Sequence, residues 1–526
     1  MKKRILAAVI AAVFAVLNVA SALPVFALDE STTRYPTPEG YNDNDYQKLV
    51  AFLEQTDDEG VKNGEKLSEN YDPNDPATWG TDYWGDQSFQ WVESNGELRI
   101  QRIDVGWCGL CGTLDVSGCT ALSWLGCNSN NLTSLDVSGC TALTYLDCGS
   151  NNLTTLDVSN NTALEDLYCY SNNLTSLDVS SNTALEMLWC ESNNLTSLDV
   201  SSNTALRTLW CASNNLTTLD VSGCTALTGL SCYDNNLTEL DVSSNTALIS
   251  LSCSSNNLTE LDVSNNTALT SLSCSSNNLT ELDVSNNTVL EDLYCYENNL
   301  TTIDVSNCTA LEFLYCWSNN LTSLDVSNNT ALGLLYCYSN NLTELDVSNN
   351  TALHLLACYS NNLTELDLSH NSHLPLDCVK SEGNGTIGYA CGAFECEGYQ
   401  ICAIPHSGAE FIGWFNEAGE LIMSADDCYY NYDENQYSWW WYGSTNETVL
   451  IAKFTEAEPI PGDADGDGEL TSDDVLMLMR AVMDLEELTD EMLANCDMNG
   501  DGVVNFIDAL IMLRMVLNTQ PNIVVY

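Results

Sequence analysis

The sequence predicts an α/β-type solenoid rich in parallel β-structure, with a helical cap at its start, then a small β-rich module and a small α-helical module. Three observations support this architecture. A motif recurs every 21 residues between Cys127 and Cys358, in twelve copies. Short β-rich runs without that period follow, and two acidic, glycine-containing loops lie near the end of the chain. A fixed period of this length is typical of solenoids, in which each copy packs mainly against its neighbours.

Each copy follows the pattern L-x-x-L-x-C-x-x-N-x-L-T-x-L-D-V-S. In one copy, Leu146 and Cys148 alternate with outward positions, as an inward-facing strand requires. Leu153 fills the core from the opposite side of the coil, and Asn151 lies at the turn, where its amide can satisfy backbone groups of its own coil and the next. The pattern resembles leucine-rich repeats, with Cys at a position that usually carries Leu. The resemblance implies a leucine-rich repeat solenoid over residues 106–380.

The repeat cysteines form a column in this solenoid. Neighbouring parallel strands lie about 4.8 Å apart with their side chains pointing the same way, so the Cβ atoms do not converge as a disulfide requires. We interpret the column as buried thiols that pack as small apolar groups. A ladder of metal thiolates is the alternative. The column comprises Cys127, Cys148, Cys169, Cys190, Cys211, Cys232, Cys253, Cys274, Cys295, Cys316, Cys337 and Cys358.

Composition and charge restrict the partners and the compartment. The chain has 526 residues and a formal net charge of −60, which argues against nucleic acid and anionic membrane as partners. Residues 1–27 combine Lys2, Lys3 and Arg4 with an apolar run and small residues, which is typical of a secretory signal peptide. No later segment is apolar enough to insert into a membrane. We therefore expect an exported protein.

The segments that flank the repeats have their own signatures. Residues 28–105 predict a leader and an N-terminal cap with a helix over Asp45–Gln55, and they resemble the cap of bacterial leucine-rich repeat proteins. Residues 381–455 are β-rich, and runs such as Phe411–Phe415 resemble the small β-grasp repeat of internalin-type surface proteins. Residues 456–461 read as a proline-bearing linker.

Two twelve-residue loops, 34 residues apart, place oxygen-bearing side chains at the positions that bind calcium in such loops. Each has Gly at position 6, a backbone carbonyl at position 7 and Asp at position 12, and one apolar helix follows it. These features resemble a dockerin module over residues 462–526, which implies two calcium ions. The predicted ligands are Asp463, Asp465, Asp467, Glu469, Thr471 and Asp474 in the first loop, and Asp497, Asn499, Asp501, Val503, Asn505 and Asp508 in the second.

The dockerin resemblance also implies a partner and a location. Dockerins bind cohesin modules of scaffoldins, which assemble cellulosome-type complexes outside anaerobic bacteria. We therefore expect a secreted component of an extracellular or cell-surface complex of a bacterium. The positions that contact the cohesin in this family correspond to Ser472, Asp473, Met479 and Arg480 in the first half, and to Phe506, Ile507, Leu513 and Arg514 in the second.

Aromatic residues recur at outward strand positions beside the cysteine column, in two groups separated by serine-rich coils. Rows of exposed aromatic rings are enriched at recognition surfaces. The alternative is that neighbouring rings stack and stabilise the sheet. The predicted ligand face consists of Tyr168, Trp189, Trp210, Tyr294, Tyr315, Trp317, Tyr336 and Tyr338.

Aspartates of the L-D-V-S segments form a second outward column, from Asp115 to Asp367. Stacked coils would bring neighbouring carboxylates to about 5 Å, where they repel each other. Hydrogen bonds from turn amides, raised pKa values or bound cations could each offset this repulsion.

Together these features predict a secreted, non-catalytic binding subunit that docks onto a cohesin-bearing scaffold and recognises a protein or a glycan with its repeat face, in the service of polysaccharide degradation. The alternative is a glycoside hydrolase or an accessory component of one, because dockerins usually accompany carbohydrate-active modules. No segment outside the repeats is long enough for a typical glycosidase domain. A paired-carboxylate site among 74 acidic residues stays open.

Overall fold

The structure is a computed structural model. It describes residues 34–80, 87–374, 376, 378–391, 399–406, 409–425, 428–431, 436–441, 449–455, 462, 470, 472–483, 496–498 and 503–519. The predicted signal peptide, the linker 456–461 and most of the first calcium loop lie outside these residues.

The N-terminal cap contains helices α1 (Asp43–Leu53) and α2 (Asn63–Leu67), a 3₁₀ turn (Pro76–Thr78) and the antiparallel pair β1 (Phe89–Ser94) and β2 (Glu97–Asp104). Helix α1 begins two residues before the predicted start, because the Asn42 side chain accepts a hydrogen bond from the backbone N–H of Asp45. Asp45 does not cap the helix. It is fully buried, and it accepts hydrogen bonds from the guanidinium of Arg99 and the backbone N–H of Ile100.

Thirteen parallel strands, in register, form one wall of the solenoid, which we call the strand wall. Strand β2 pairs with the first coil, and every later pairing joins equivalent residues of neighbouring coils. After β2 the strands are β4 (Trp124–Gly126), β6 (Tyr145–Asp147), β7 (Asp166–Tyr168), β8 (Met187–Trp189), β9 (Thr208–Trp210), β10 (Gly229–Ser231), β11 (Ser250–Ser252), β12 (Ser271–Ser273), β13 (Asp292–Tyr294), β14 (Phe313–Tyr315), β15 (Leu334–Tyr336) and β16 (Leu355–Ala357).

The L-D-V-S segments form the opposite side of the solenoid, which we call the turn wall. Its strands are β3 (Cys111–Asp115) and β5 (Asn131–Asp136), which pair in parallel, and β17 (Glu365–Asp367). Between the two walls lie the inward Leu, Val and Cys residues of every coil, packed in one continuous core. Each coil therefore buries its apolar side chains against the coils before and after it, as the repeat period requires.

Strands of the predicted β-rich module continue both walls. Strand β19 (Gly385–Cys391) pairs antiparallel with β16 and extends the strand wall through β20 (Tyr399–Pro405), β24 (Gln436–Trp441) and β23 (Tyr429–Asn431). The turn wall continues through β18 (Cys378–Glu382), β25 (Val449–Phe454), β21 (Phe411–Phe415) and β22 (Leu421–Ser424). These strands cover the open end of the solenoid, which would otherwise expose apolar core.

The last part of the chain contains helices α3 (Ser472–Val482) and α4 (Phe506–Thr519). They pack on each other through a small core of their own, which includes Leu478, Met512 and Val516. Among the described residues, every helix is too short or too polar to cross a bilayer.

Candidate functional site: two walls and a C-terminal helix pair

The interior of the solenoid agrees with the expectation for the cysteine column. All twelve repeat cysteines are fully buried free thiols. Burial in apolar surroundings raises the pKa of each of them, because it penalises the thiolate. Since the thiolate is the nucleophile and the metal ligand, these side chains act here as small apolar groups.

A ladder of asparagines fixes the turn that follows each strand of the strand wall. Asn151 donates from Nδ2 to the carbonyl of Cys127 in the preceding coil (3.0 Å) and to that of Cys148 in its own coil (3.1 Å). Its Oδ1 accepts from the N–H of Leu132 in the preceding coil (2.9 Å). The amide thus links its own coil to the preceding one, whereas the sequence suggested the next. The residue before it, Ser150, has a φ of 52°, a left-handed conformation that closes the turn.

On the turn wall, backbone N–H groups stabilise the charged aspartates of the column. In every coil from Asp115 to Asp367, the carboxylate accepts a hydrogen bond of 2.9 Å from the backbone N–H of the serine two residues later. From Asp157 onward, hydrogen bonds from the serine hydroxyl and N–H lower the pKa of each carboxyl. The hydrogen bonds expected from turn amides are therefore present, and they lower the pKa values of these carboxyl groups rather than raise them.

The strand wall carries two groups of stacked rings. In the first group, Trp124 stacks on Tyr145 with ring centroids 4.6 Å apart, and Tyr145 contacts Tyr168 at 5.4 Å. Tyr168 meets Trp189 edge-to-face at 4.8 Å, and Trp189 stacks on Trp210 at 4.1 Å with nearly parallel planes. Trp124 and Tyr145 were missed by the sequence analysis, although they occupy outward strand positions that the same alternation could have identified.

The second group contains two parallel rows. Tyr294, Tyr315 and Tyr336 form one row, with centroid distances of 4.7 and 4.8 Å. The other row begins with Tyr296 and continues through three further rings, at 4.3, 5.0 and 4.5 Å and with planes within 9° of parallel. The later members of this row are Trp317, Tyr338 and Tyr359.

Six of the eight predicted ligand-face residues lie on strands of the strand wall, as expected from their outward positions, and Trp317 and Tyr338 lie in the turns that follow β14 and β15. They are half-buried rather than fully exposed, because each ring covers a face or an edge of its neighbour. The structure therefore supports the stacking interpretation for the interior rings, and recognition stays a proposal. Trp107 is different: it lies at the rim, with 79% of its surface exposed.

Carboxyl groups of the strand wall behave differently from those of the turn wall. Burial raises the pKa of Asp147 to about 6, against a weaker opposing effect of the hydrogen bond from the N–H of Gly149. Desolvation also raises the pKa of Asp166, Asp292 and Glu191. The rings that flank these groups remove water from them, and the desolvated ionised form is penalised.

The C-terminal helix pair presents two equivalent carboxylates. Asp474 and Asp508 each occupy the third residue of their helix, α3 and α4, and both are fully buried. Asp508 accepts a hydrogen bond from the N–H of Asn505 (2.9 Å), and the Asn505 side chain bonds the carbonyl of Val503 and the N–H of Ile507. Carboxylate, amide and carbonyl oxygens gathered at one helix start are donors that calcium prefers, so the described part of the second loop fits the predicted ion.

In this region, the remaining predicted calcium ligands divide between described and undescribed parts of the chain. Asp497 is described and half-buried, and Val503 is exposed. The others lie outside the described residues: Asp463, Asp465, Asp467, Glu469, Thr471, Asn499 and Asp501. Among the described residues, no group of three or more acidic, His or Cys side chains is arranged as a metal site.

Each helix of the pair also has an outer apolar stripe. On α4, Phe506, Ile507 and Leu510 are each more than half exposed, while Ala509 and Met512 on the opposite face are buried. On α3, Met479 and Arg480 are exposed next to Leu476, which is 54% exposed. Arg514 is exposed and Leu513 half-buried, whereas the side chains of Ser472 and Asp473 lie outside the described part of α3. Sequence analysis missed Leu476 and Leu510, which lie one turn further along these stripes.

Comparison with known proteins matches two parts of the chain. The dockerin type I domain family matches residues 461–517, and the leucine-rich repeat family matches residues 359–372. No curated protein matches the chain.

Several solved structures are similar to the chain. The functional domain of InlJ from Listeria monocytogenes, described as including a cysteine ladder, is 33% identical with a TM-score of 0.50, over 66% of this chain and 78% of that domain. The internalin InlF from Listeria monocytogenes is 26% identical with a TM-score of 0.46, over 50% of this chain and 85% of that one. YopM from Yersinia pestis is 24% identical with a TM-score of 0.40, over 46% of this chain and 68% of that one.

Proposed function

Since the chain belongs to the internalin-type leucine-rich repeat proteins and ends in a dockerin type I domain, we propose that it is a secreted, non-catalytic binding subunit of a cellulosome-type complex. The dockerin implies docking to a cohesin, and the repeat solenoid implies protein binding. In the finer proposal, calcium loads the dockerin, a scaffoldin cohesin holds it, and the strand wall recognises a protein or glycan during polysaccharide degradation.

The observation that carries the docking half of the proposal is the exposed apolar stripe of α3 and α4. Within the described residues, large apolar side chains are seldom exposed along the solenoid, yet six of the exposed ones lie in these two short helices, with Met483 directly after α3 and Val503 shortly before α4. Isolated exposed apolar groups are ordinary, but several of them on one small helical module are typical of an interface. The patch comprises Leu476, Met479, Met483, Val503, Phe506, Ile507, Leu510 and Met515.

The two stripes are similar but not identical. Residues 34 positions apart are equivalent, so Met479 corresponds to Leu513 and Arg480 to Arg514. The exposed pair Phe506 and Ile507 of α4 corresponds to a polar pair at the start of α3. Apolar residues dominate α4, which favours this helix as the main contact to a cohesin.

Calcium would be held by the loops that precede the two helices. Asp474 and Asp508 would close those loops from their buried positions, together with the backbone carbonyl of Val503 and the other oxygen-bearing loop residues. When bound, the ion supplies positive charge that stabilises loop carboxylates gathered at a helix start. In such a module, the free energy of metal binding also contributes to the free energy of folding.

The composition of the strand wall supports a recognition role. Its outward positions hold Tyr and Trp in two regions and Ser or Gly between them. Tyr and Trp provide large, rigid contact area at a low entropy cost, and Ser and Gly adapt their hydrogen bonds, which is the composition of many binding surfaces. The turn wall lacks this variety, because its L-D-V-S segments are nearly the same in every coil.

The docking proposal is tested with the double variant Asp474→Ala, Asp508→Ala in the full chain. We expect calcium-dependent capture of a type I cohesin module to be lost, because each change removes a carboxylate that closes a loop. Asp262→Ala, Asp283→Ala removes the same chemistry from the turn wall and should capture cohesin like the natural protein. Capture of cohesin by the first double variant in EDTA would contradict the proposal.

A further inference from the structure

The serine-rich coils place small outward side chains in the strand wall between the two groups of rings. The outward positions of β10, β11 and β12 are Gly229, Ser231, Ser250, Ser252, Ser271 and Ser273, and we call this region the serine trough. Rings stand on both sides of it, at Trp210 in β9 and at Tyr294 in β13. Those two residues are four strand spacings apart, or about 19 Å at about 4.8 Å per spacing.

Three rings that end their rows border this trough. Trp210 stacks on Trp189 with planes 8° apart, and beyond its other face the aligned residue is Ser231. Tyr294 and Tyr296 end their rows in the same way, since each stacks on a ring of β14 or its following turn and is preceded by serines. A ring inside a row has neighbours on both sides.

The far end of the first group is closed. There the guanidinium of Arg102 lies 3.2 Å from the ring centroid of Trp124 and covers it. The trough is therefore bordered by the end rings of three rows, Trp210 on one side and Tyr294 and Tyr296 on the other.

The floor of the trough is uncharged and rich in hydroxyls. Ser254 and Ser273 share a hydrogen bond of 2.7 Å, and Ser275 donates to Ser254 at 2.9 Å. Elsewhere in the trough, the hydroxyls of Ser231, Ser250, Ser252 and Ser271 have no hydrogen-bond partner in the part of the chain that the structure describes. A neutral floor on a chain with a net charge of −60 favours an uncharged ligand with its own hydroxyls.

We propose that the serine trough binds a neutral oligosaccharide, with pyranose rings packed on the open faces of Trp210 and Tyr294 and sugar hydroxyls bonded to the serines. This inference rests on the proposed role of the strand wall as a recognition surface. An aromatic face is electron-rich, so it attracts the polarised C–H groups on the flat side of a sugar. A protein segment would instead need an apolar pocket for its anchor residues, and the serine floor provides none.

The test uses the full chain, calorimetry with cellohexaose, xylohexaose and mannohexaose, and an array of neutral and uronic-acid oligosaccharides. The decisive variant is Ser252→Tyr, which fills the trough with a side chain that the same strand position holds in β13, β14 and β15. Because the strand already accepts that residue in other coils, we expect the variant to fold, and circular dichroism checks this. Trp210→Ala removes the ring on one side of the trough, and Trp124→Ala, at the far end of the first group where Arg102 covers the ring, is the matched control. Tyr315→Ala tests the ligand face outside the trough.

We expect the natural chain to bind at least one neutral oligosaccharide and none of the uronic-acid ones. Ser252→Tyr should abolish that binding, and Trp210→Ala should weaken it roughly tenfold, whereas Trp124→Ala should change it little. No neutral binding at all, or binding that survives Ser252→Tyr, overturns the trough proposal. Binding that Tyr315→Ala abolishes while Ser252→Tyr leaves it intact would overturn the trough and still support the strand wall as a recognition surface.

Discussion

The two walls of the solenoid are built from the same repeat, but their carboxyl groups differ in surroundings and in the direction of their pKa shifts. On the turn wall from Asp157 onward, each aspartate is exposed, accepts a serine N–H and has a lowered pKa. On the strand wall, Asp147 lies among rings and has a pKa raised to about 6. The turn wall repeats nearly the same residues in every coil, whereas the strand wall changes from rings to serines and back. Uniform positions thus maintain the coil, and the varied positions are available for recognition.

The asparagines of the two walls give the largest expected difference. Asn214→Ala in the strand-wall ladder leaves the N–H of Leu195 without a partner. It also removes one of the two asparagine donors to each of the carbonyls of Cys190 and Cys211. A buried unsatisfied N–H costs about 1–3 kcal/mol and each further lost hydrogen bond about 1 kcal/mol, so we expect the free energy of unfolding to fall by about 3 kcal/mol. Urea unfolding of the full chain, followed by tryptophan fluorescence, measures this loss.

The matched change on the other side of the coil is Asn203→Cys. Asn203 only donates, to the carbonyls of Val179 and Asn182, and its Oδ1 has no partner in the described structure. At the equivalent position, Cys224 donates its thiol to the carbonyls of Val200 and Asn203. We expect a cost below about 1 kcal/mol. An equal fall in the free energy of unfolding in both variants would show that the two asparagine columns contribute equally to stability.

A smaller effect follows from the opposite pKa shifts. The folded-state pKa of Asp147 lies above its ordinary value of 3.8, so its ionisation opposes folding above about pH 6 and this cost disappears as the pH falls toward 4. Asp147→Asn should therefore stabilise the chain near pH 7, on the order of 2–3 kcal/mol, and have no effect near pH 4. Urea midpoints at several pH values measure the difference.

The turn wall should respond in the other direction. Its carboxyl groups have lowered pKa values in the fold, so their contribution is complete above pH 4 and is lost as the pH falls through the folded-state values. Asp147→Asn should leave this acid limb unchanged. A variant curve that runs parallel to that of the natural chain from pH 4 to 7 would contradict the assignment of the raised pKa to Asp147.

Periodicity was enough to predict most of the fold. The alternation around Leu146 and Cys148 identified the strand wall, and the position of Asn151 identified its turn. It could not show that Asp45 pairs with Arg99, because 54 residues separate them and the contact depends on how the cap folds onto β2. It also could not show that β18 and β19 continue the two walls, since strand pairing over long distances leaves no local pattern.

The candidate sites were predicted less completely for a related reason. Loop spacing identified Asp474 and Asp508 before their burial was known. The aromatic positions were also identified, but side-chain torsions decide whether a ring lies flat on its neighbour or leaves a face open. Trp189 and Trp210 are the same residue type at equivalent positions, and they differ only because the next coil carries Trp after one and Ser after the other.

The smallest expected effect concerns calcium and the turn wall. Because a serine N–H already satisfies each aspartate from Asp115 to Asp367, a bound cation is not needed to keep the column stable. Hydrogen exchange of the full chain, in EDTA and in millimolar calcium at matched ionic strength, separates the two regions. We expect amides of α3 and α4 to gain protection with calcium, and amides of Ser243 and Ser264 to exchange at the same rate in both conditions. Slower exchange along the turn wall in calcium would instead show that cations bind the aspartate column. Both walls would then be binding surfaces, and they would differ only in the ligand that each one binds.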